Sequence, residues 1–484
     1  MTLYLEGMTS PERAEASILS AVVIRFGEPL DAASVTPDSV ALTTDAEVVA
    51  TRTEVSGNLI TLTPVDRLRP GTHYRVMLAP SVRGQSGREL GVIPPAQQPF
   101  LEFTTESWPM RLETLVEFET HGSDAPVAVG DFDGDGLLDL AVAREFPTRT
   151  SVLRGLGHGK FAPAYDVPMN ESYCRHSAMR SSDINGDGWE ELVISAYSES
   201  GYWENCGVTI LSAQGARSQL APSAHWVTTD FSIAIKIADV DADGLQDLVG
   251  LGRSDVGSQP PTLVVWTQQD DGSFSKTHER PVLTGGGAAG MTVGDLSGDG
   301  LVDFVAWCTC GRGPEQVWIE QSAPGVFGET QPLTTVQVPY FGATAWEDAE
   351  LFDANADGRL DIVASTGGNY ERAVFGIYYQ DASGLLAEPV ELLAADHAPG
   401  AMDTADMNDD GVRDLVVFHD GWQSISAYLP QADGQVISQL RYMLPIAYVH
   451  AESFALADLN GDRWPDIVVN DGEGLKILFQ IPTQ

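Results

Sequence analysis

The sequence predicts an all-β fold, a β-sandwich over residues 1–106 followed by a seven-bladed β-propeller over residues 107–484. Three observations predict it. Segments that alternate polar and apolar residues recur along the chain, as half-buried strands do. An acidic motif returns seven times, its first aspartates separated by 52 to 58 residues. Each interval holds about four strand-like segments, which favours propeller blades over turns of a solenoid.

Composition excludes several classes of partner. The 484 residues include 27 Lys and Arg against 69 Asp and Glu, a formal net charge of −42. We expect no nucleic-acid partner, because phosphate binding needs a basic surface. We also expect no transmembrane segment, because no apolar run is long enough to cross a bilayer.

Residues 1–106 alternate like half-buried strands, with turn signals between them. The clearest strand segments are 20–26, 58–63 and 72–78. The residues at 26–31, 62–64, 68–74 and 103–105 resemble the bacterial Ig-like domains of S-layer and other cell-surface proteins. That resemblance implies a sandwich that spaces or presents another module, not a catalytic domain.

The first acidic motif follows a linker at Trp108-Pro109 and runs from Asp131 to Asp139. Carboxylates stand at its positions one, three, five and nine, and Gly136 at position six permits a sharp turn. Alternate residues of such a loop point their side chains at one centre, and the carbonyl of position seven adds an oxygen. Calcium takes about six to eight oxygens, so the motif predicts a calcium loop.

The expected calcium ligands are the side chains at positions one, three, five and nine and the carbonyl at position seven of each loop. They are Asp131, Asp133, Asp135, Leu137 and Asp139 in loop 1; Asp183, Asn185, Asp187, Trp189 and Glu191 in loop 2; Asp239, Asp241, Asp243, Leu245 and Asp247 in loop 3; Asp295, Ser297, Asp299, Leu301 and Asp303 in loop 4; Asp353, Asn355, Asp357, Arg359 and Asp361 in loop 5; Asp406, Asn408, Asp410, Val412 and Asp414 in loop 6; and Asp458, Asn460, Asp462, Trp464 and Asp466 in loop 7.

The loops differ in ligand chemistry, so we expect up to seven Ca²⁺ ions of unequal strength. Loops 1 and 3 carry four carboxylates each, whereas loops 2, 5, 6 and 7 have Asn at position three, an oxygen ligand with less charge. The weakest candidates are 295–303, where Ser297 is a poorer ligand, and 458–466, where Arg463 replaces glycine and needs a strained φ or a different turn. The alternative, acidic turns without metal, leaves clustered carboxylates to repel one another.

Each repeat is expected to form four strands, A to D, with the acidic loop joining A to B. The fifth repeat shows them at 350–352, 362–365, 374–379 and 389–393. The last repeat supplies only three strands, while an additional strand at 112–118 precedes the first loop. Pairing that strand with the last three closes the ring and hides two exposed strand edges.

The seven motifs resemble the FG-GAP/VCBS repeats, whose best-known members form the seven-bladed head of integrin α-subunits. The resemblance implies a propeller from about residue 110 to the end, with calcium in some of its loops. The Phe-Gly and Gly-Ala-Pro signatures of the family are degraded, and 160–163 and 326–328 are remnants of them. The resemblance therefore supports the fold and the calcium more strongly than an integrin-like partner.

The propeller face opposite the calcium loops is expected to carry the B to C and D to A connections. Aromatic residues beside Arg and His are frequent there, and protein or glycan ligands stack on such groups. The candidates are Tyr173, Arg175, His176, Tyr202, Trp203, Trp226, Tyr340, Phe341, Trp346, Tyr370, Arg372, Trp422 and His450. The alternative is that these rings plug the channel mouth or pack between blades.

The four cysteines fit the same arrangement. Cys174 and Cys206 fall in two connections on one face of the second blade and can pair. Cys308 and Cys310 share one connection, where a bridge across a single residue is strained. Two disulfides would suit an exported protein.

We predict that the chain is not an enzyme. The sequence has no nucleophile elbow, phosphate loop or His-Glu-x-x-His motif. Histidines at 121, 176, 225, 397 and 450 stand at unequal distances from the next loop, so the spacing does not bring them together. Propellers of this family occur within polysaccharide lyases, so a lyase or its accessory carbohydrate-binding module is the alternative.

The predicted function is adhesion or recognition of a protein or glycan by a calcium-stabilised module, with a larger cell-surface assembly as a further option. Residues 1–7 lack the basic start and apolar stretch of a signal peptide, and we expect that one has been removed. Free calcium is scarce in cytosol and plentiful outside cells. We therefore expect an extracellular or cell-surface location.

Overall fold

A computed structural model describes the greater part of the chain. The described residues are 2–5, 15–16, 22–26, 28–37, 39–44, 48–65, 73–87, 101–105, 110–117, 125–144, 149–168, 174–197, 206–213, 215, 219–228, 234–252, 260–284, 289–310, 313–334, 337–338, 342–343, 346, 348–365, 374–381, 384, 386, 389–393, 399–419, 424–430, 436–443, 451–470 and 474–480.

The described residues form an all-β structure, as the sequence predicts. Apart from strands they contain two short 3₁₀ helices, Ala32–Ser34 and Ala451–Ser453. No helix in this part of the chain has the length and hydropathy to cross a membrane. The chain divides into two compact units, one of Met1–Pro109 with Gln439–Tyr442 and one of Met110–Ser438 with Met443–Gln484.

The first unit is a sandwich of two sheets. The strands of one sheet, in spatial order, are Thr2–Leu5, Val22–Arg25, Leu59–Pro64 and Thr51–Ser56. Those of the other are Glu15–Ala16, Leu101–Thr105, His73–Leu78, Val40–Thr43 and Val48–Val49. Alternate residues such as Val22, Ile24, Ile60 and Leu62 are fully buried and form the core. The period of two in the sequence therefore marked the core face correctly.

The second unit contains seven four-stranded antiparallel sheets in its described residues, here numbered 1 to 7 with strands A to D. In that strand order they are Val127–Gly130, Asp139–Arg144, Arg149–Leu153 and Tyr165–Pro168; Arg175–Ser182, Glu191–Tyr197, Gly207–Ala213 and Leu220–Val227; Ala234–Ala238, Asp247–Gly252, Thr262–Gln268 and Phe274–Pro281; Ala289–Gly294, Asp303–Cys310, Gly313–Ile319 and Gln331–Pro332; Ala349–Phe352, Asp361–Ser365, Val374–Tyr378 and Val390–Leu393; Pro399–Ala405, Asp414–His419, Ser424–Pro430 and Val436–Met443; and Phe454–Ala457, Asp466–Asn470, Gly474–Gln480 and Met110–Glu117.

The acidic loops join strand A to strand B in every sheet. Strand B begins at the ninth loop position each time, for example at Asp139 and Asp466. Two small hairpins, each a separate two-stranded sheet, lie between strands C and D of sheets 1 and 4; they pair Gly155–Gly157 with Lys160–Phe161 and Gln321–Ala323 with Val326–Phe327. A further pair, Gln337–Val338 with Gly342–Ala343, lies between sheets 4 and 5 along the chain.

The chain closes its ring by sharing sheet 7 between both ends of the propeller unit. Met110–Glu117 pairs antiparallel with Gly474–Gln480, so the strand that precedes sheet 1 becomes strand D of sheet 7. The A strands contact one another in order, and the A strands of sheets 1 and 7 also touch. The architecture is a β-propeller, and the predicted strand exchange is confirmed.

Hydrophobic side chains between neighbouring sheets form the core. Between sheets 7 and 1, for example, Val127 and Leu140 pack with Val468 and Ile477, and all four are buried. Burying an aliphatic side chain of this size contributes about 1.5–3 kcal/mol. Because every sheet has a neighbour on both sides, the B strands are buried on both faces.

The predicted pairing of Cys174 with Cys206 is observed. The two residues directly precede strands A and C of sheet 2, with Cα atoms 5.6 Å apart. Both cysteines are buried against Ala196. Cys308 is disulfide-bonded as well.

Candidate metal centre

The first and fifth residues of each loop fold the backbone into a tight turn. In loop 1, the Asp131 carboxylate accepts hydrogen bonds from the Asp135 and Gly136 N–H groups at 3.1 and 2.8 Å. The Asp135 carboxylate accepts one from the Leu137 N–H at 3.0 Å. The same three bonds recur in all six other loops. Seven copies of one motif thus form seven copies of one turn.

Two positions of the turn have positive φ. Position six is glycine in six loops, and Arg463 occupies it in loop 7 at φ +77°, so the strained φ predicted for this residue is confirmed. Position four also has positive φ, and there Ala242, Ala356 and Asp409 lie at φ 57–58°. The sequence analysis missed this second constraint, although glycine at position four of the other loops signalled it.

The ninth residue of each loop is a buried acid that ties the turn to its own sheet. In loop 1, Asp139 accepts from the Phe132 N–H at 3.1 Å and from the Gly155 N–H, just after strand C, at 2.7 Å. Asp247 in loop 3 accepts from Val240 and Gln268 in the same way. Burial raises the pKa of Asp139 to about 7.

The third position distinguishes the loops. Both carboxylate oxygens of Asp133, one of Asp241 and the hydroxyl of Ser297 are buried without a hydrogen-bond partner. In loops 2, 5, 6 and 7 the Asn oxygen at this position instead accepts the N–H of position five at 2.8–3.0 Å. Burial and the neighbouring Asp135 carboxylate raise the pKa of Asp133.

Carboxylates converge in two of the loops. One oxygen each of Asp131, Asp133 and Asp139 lie within 4.8 Å of one another, and loop 3 repeats this with its own three aspartates. A hard cation would satisfy the orphaned oxygens of position three, so both groups fit calcium. These are the two loops in which the sequence places four carboxylates.

Arginines approach two of the loops. The Arg154 guanidinium lies 3.7 Å from the Asp133 carboxylate in loop 1. In loop 5 the Arg359 side chain contacts the Asp357 carboxylate and donates to the Gln380 carbonyl. The Arg359 side chain therefore pairs with Asp357, a predicted calcium ligand. The sequence analysis had assigned Arg359 a role only through its main-chain carbonyl.

The predicted recognition residues fall into two groups. Tyr173, Tyr202, Trp203, Tyr340, Phe341, Tyr370, Arg372, Trp422 and His450 lie outside the described residues. The structure describes the other four. Arg175 and His176 begin strand A of sheet 2 and are half-buried and buried, respectively.

Two predicted recognition rings pack between sheets. Trp346 is 3% exposed, and its ring centroid lies 5.8 Å from that of Trp307 and 5.4 Å from that of Tyr378. Trp226 lies within strand D of sheet 2, not in a connection, and contacts Trp266 and Phe274 of sheet 3. The prediction of a solvent-facing surface is wrong for the buried Trp346 and His176. Trp346 and Trp226 instead pack between neighbouring sheets, which was the alternative for these rings.

A cluster of charged residues at the inner circle of A strands was not predicted. We name as the axial cluster Arg180, Lys236, Asp348, Glu350, Asp403 and Glu452, which interact electrostatically across five sheets. Arg180 donates to both Glu452 oxygens, at 2.7 Å from Nη2. One signal could have identified most of the cluster, because four members stand three residues before a loop's first aspartate.

The surroundings of the axial cluster raise the pKa of some of its carboxyl groups and lower that of another. Burial raises the pKa of Asp348 to about 7 and that of Glu350 to about 8, although the charge of Lys236 opposes both shifts. Burial acts on Glu452 in the same sense, but the facing Arg180 guanidinium outweighs it and lowers the pKa. Protons and cations therefore share the neutralisation of these carboxylates.

Comparison with known protein families identifies the repeats. A model of the FG-GAP-like repeat matches residues 131–194, 239–306 and 406–469. Each match runs from the first aspartate of one loop into strand B of the next sheet. The chain contains FG-GAP-like repeats. A bacterial Ig-like domain matches residues 7–105, so both resemblances drawn from the sequence motifs are supported.

One solved structure shows a similar fold. The BP39L lectin from Burkholderia pseudomallei superimposes with a TM-score of 0.54 at 10% identity, covering 74% of this chain and 99% of the lectin chain. An auxiliary nutrient binding protein from Bacteroides thetaiotaomicron matches with a TM-score of 0.40 at 11% identity, covering 99% and 98%. At 10% identity the similarity to the lectin is one of fold alone. No curated protein matches this chain.

Proposed function

We propose that this chain is a secreted or cell-surface binding module whose seven sheets are the blades of one ring, fastened by Ca²⁺. FG-GAP-like repeats and bacterial Ig-like domains are typical of extracellular proteins, and both are found here. The observation that carries the metal proposal is the buried Asp133 carboxylate, which has no hydrogen-bond partner in a loop where three carboxylates converge.

Calcium would have a structural role in these loops. In loop 1, Asp131, Asp133 and Asp139 would hold the ion. Its positive charge would offset the repulsion among the three carboxylates. The ligand residues also shape the turn, because Asp131 orders the backbone of positions five and six and Asp139 fastens position two. An ion bound there would strengthen the link between strands A and B of its sheet.

We assign ligand recognition to the propeller face opposite the calcium loops, with a protein or a glycan as the ligand. The antiparallel sheets place the A to B loops on one face and the B to C and D to A connections on the other. A solved structure of similar fold is named a lectin, which supports a glycan as one of the two options.

Metal content tests the calcium proposal. The protein, dialysed against Ca²⁺ and then against calcium-free buffer, should retain calcium by elemental analysis, and Asp133→Asn should lower that content. Asp166→Asn is the matched control, because Asp166 is a sheet 1 carboxylate paired with Arg149 outside the loops. Wild-type protein that retains no calcium, and binds none in a titration, would contradict the proposal.

Binding screens test the recognition proposal. The protein should bind a member of a glycan array or an extracellular protein, and Tyr202→Ala with Trp203→Ala should abolish binding without lowering the melting temperature. Leu156→Ala is the control, because Leu156 is 52% exposed on a C to D hairpin rather than on the recognition face. Equal loss of binding in the control would remove the assignment to one face.

We further propose that the module binds without catalysis. The alternative from the sequence is a polysaccharide lyase, which forms an unsaturated uronate that absorbs in the ultraviolet. Incubation with acidic polysaccharides should therefore leave the absorbance unchanged. A steady increase proportional to protein concentration would establish the lyase instead.

A further inference from the structure

In four loops the residue at position two connects neighbouring sheets. In six loops its N–H donates to the ninth residue of the same loop, as Met407 donates to Asp414 and Leu459 donates to Asp466. In loop 4 the Leu296 N–H donates to the Gly294 carbonyl instead. In four loops its carbonyl accepts a hydrogen bond from the next sheet. In these loops one residue is therefore held by its own metal loop through its N–H and by the neighbouring sheet through its carbonyl.

Four junctions show the carbonyl contact. The acceptors and donors are Ile184 with the Gln268 side-chain amide at 3.0 Å, Val240 with the Gly325 N–H at 3.2 Å, Met407 with the Gln480 side-chain amide at 2.8 Å, and Leu459 with the Gly159 N–H at 3.2 Å. They join sheets 2 to 3, 3 to 4, 6 to 7 and 7 to 1. A further bond, from the Glu190 N–H to the Asp131 carbonyl at 3.2 Å, joins loops 2 and 1.

Two glutamines make the connection continuous from loop to loop. Gln480 donates its side-chain amide to Met407 in loop 6, while its backbone N–H donates to Asp466 in loop 7 at 3.0 Å. Gln268 does the same between loops 2 and 3, where its N–H donates to Asp247 at 2.8 Å. Both side chains are at most 4% exposed. One residue thus contacts two metal loops at once.

Sheet 5 provides a natural contrast. Gln380 occupies the equivalent place after strand C, is 3% exposed, and donates its backbone N–H to Asp361 at 2.8 Å. Its side-chain nitrogen, however, has no hydrogen-bond partner. Sheet 6 has Pro430 as the last residue of strand C. The described hydrogen bonds therefore join loop 6 to 7 and loop 2 to 3 through glutamine, and loop 1 to 2 directly. Those from loops 7 and 3 reach the C to D corners of sheets 1 and 4, and loop 5 is not included.

We propose that Gln268 and Gln480 are positioning residues that couple the calcium loops of adjacent sheets, so that an ion in one loop favours an ion in the next. The inference rests on the proposed calcium binding. An ion that orders one loop fixes the carbonyl of its position-two residue. The glutamine that donates to this carbonyl is then held in place, and its backbone N–H holds the ninth acid of the following loop. Binding to a loop whose neighbour is already ordered costs less conformational entropy.

Calcium titrations of the full chain test the coupling. Gln480→Met keeps the side-chain volume and removes the donor, so its apparent calcium affinity should fall about two- to tenfold, the effect of one hydrogen bond. The binding curve should also become less steep, because adjacent loops no longer assist each other. Gln268→Met should behave likewise. Gln380→Met is the matched control and should keep the wild-type curve.

A structural role without coupling would give a different result. If the glutamines only fill buried space, Gln480→Met would lower the melting temperature equally in chelator and in calcium, and its titration would match that of Gln380→Met. That outcome overturns the coupling while the calcium proposal stands. Wild-type protein that binds no calcium overturns both, so the two failures are distinguishable.

Discussion

Backbone conformation at single residues decides how well each loop turns. Six loops have glycine at position six, where φ is 81–90°, and loop 7 has Arg463 at φ +77°. A residue with a Cβ in this region costs about 1–3 kcal/mol. The sequence predicted this strain because the position is occupied by glycine elsewhere. Position four carries the same signal, because four loops have glycine there, so the positive φ of Ala242, Ala356 and Asp409 was predictable but was not predicted.

Replacing Arg463 by glycine should stabilise the protein. We expect the free energy of unfolding in chelator to rise by about 1 kcal/mol, because relief of the positive φ exceeds the entropy that glycine adds to the unfolded chain. Chemical denaturation measures the change. Arg463→Ala removes the same charge but keeps the Cβ, so a similar gain in that variant would refute the conformational explanation.

At two junctions the corner between strands C and D hydrogen-bonds the acidic loop of the neighbouring sheet. The corner of sheet 1 donates the Gly159 N–H to Leu459 of loop 7. A Cβ at Gly159 would meet the Phe479 ring at 2.6 Å. The repeat period predicted the strands and acidic loops, because those depend on local sequence. It could not predict the contacts of these corners, because each joins residues of two different repeats.

Gly159→Ala should destabilise the junction between sheets 7 and 1. The variant adds a clash with Phe479 to the strain of φ +69°, and we expect a loss of about 2–4 kcal/mol. Gly157→Ala is the control, since φ there is +76° but an added Cβ meets only Leu137, at 3.6 Å. Thermal unfolding should rank Gly159→Ala clearly below Gly157→Ala. Equal melting temperatures would show that the contact with Phe479 does not hold the junction.

The whole ring concentrates charge at its axis and around its loops. The net charge of −42 makes neutralisation of buried carboxylates a general requirement. In the axial cluster, Arg180 and Lys236 supply two positive charges to four carboxylates. No single repeat reveals the cluster, because its members come from five sheets, although four of them share the position three residues before a loop's first aspartate. The sandwich, the seven sheets and the closing strand were predictable, whereas the contacts of the axial cluster and the burial of Trp346 between sheets 4 and 5 depend on packing between sheets.

Stability without metal should fall as the pH rises. The unfolded chain releases the Glu350 proton near the ordinary pKa of 4.5, whereas burial in the folded protein keeps it up to about 8. The folded state binds more protons in this window, so stability is lost as the pH rises from about 4.5 to about 8. Glu350→Gln should reduce the slope of unfolding free energy against pH, measured in chelator.

An exposed carboxylate provides the comparison for the pH experiment. Asp270 lies in the turn between strands C and D of sheet 3 and is exposed. Asp270→Asn should leave the pH slope at its wild-type value. A wild-type slope in Glu350→Gln would show that this carboxyl does not hold a proton in the folded ring.

The most direct test of the account compares melting temperatures in calcium and in chelator. Two sites saturated at about a hundred times their dissociation constant contribute about 5 kcal/mol, which should raise the melting temperature of the propeller unit by at least about 5 °C. Asp133→Asn with Asp241→Asn should lose most of that increase, because these residues carry the orphaned oxygens of loops 1 and 3. Identical wild-type melting temperatures in calcium and in chelator would contradict the claim that calcium fastens the ring.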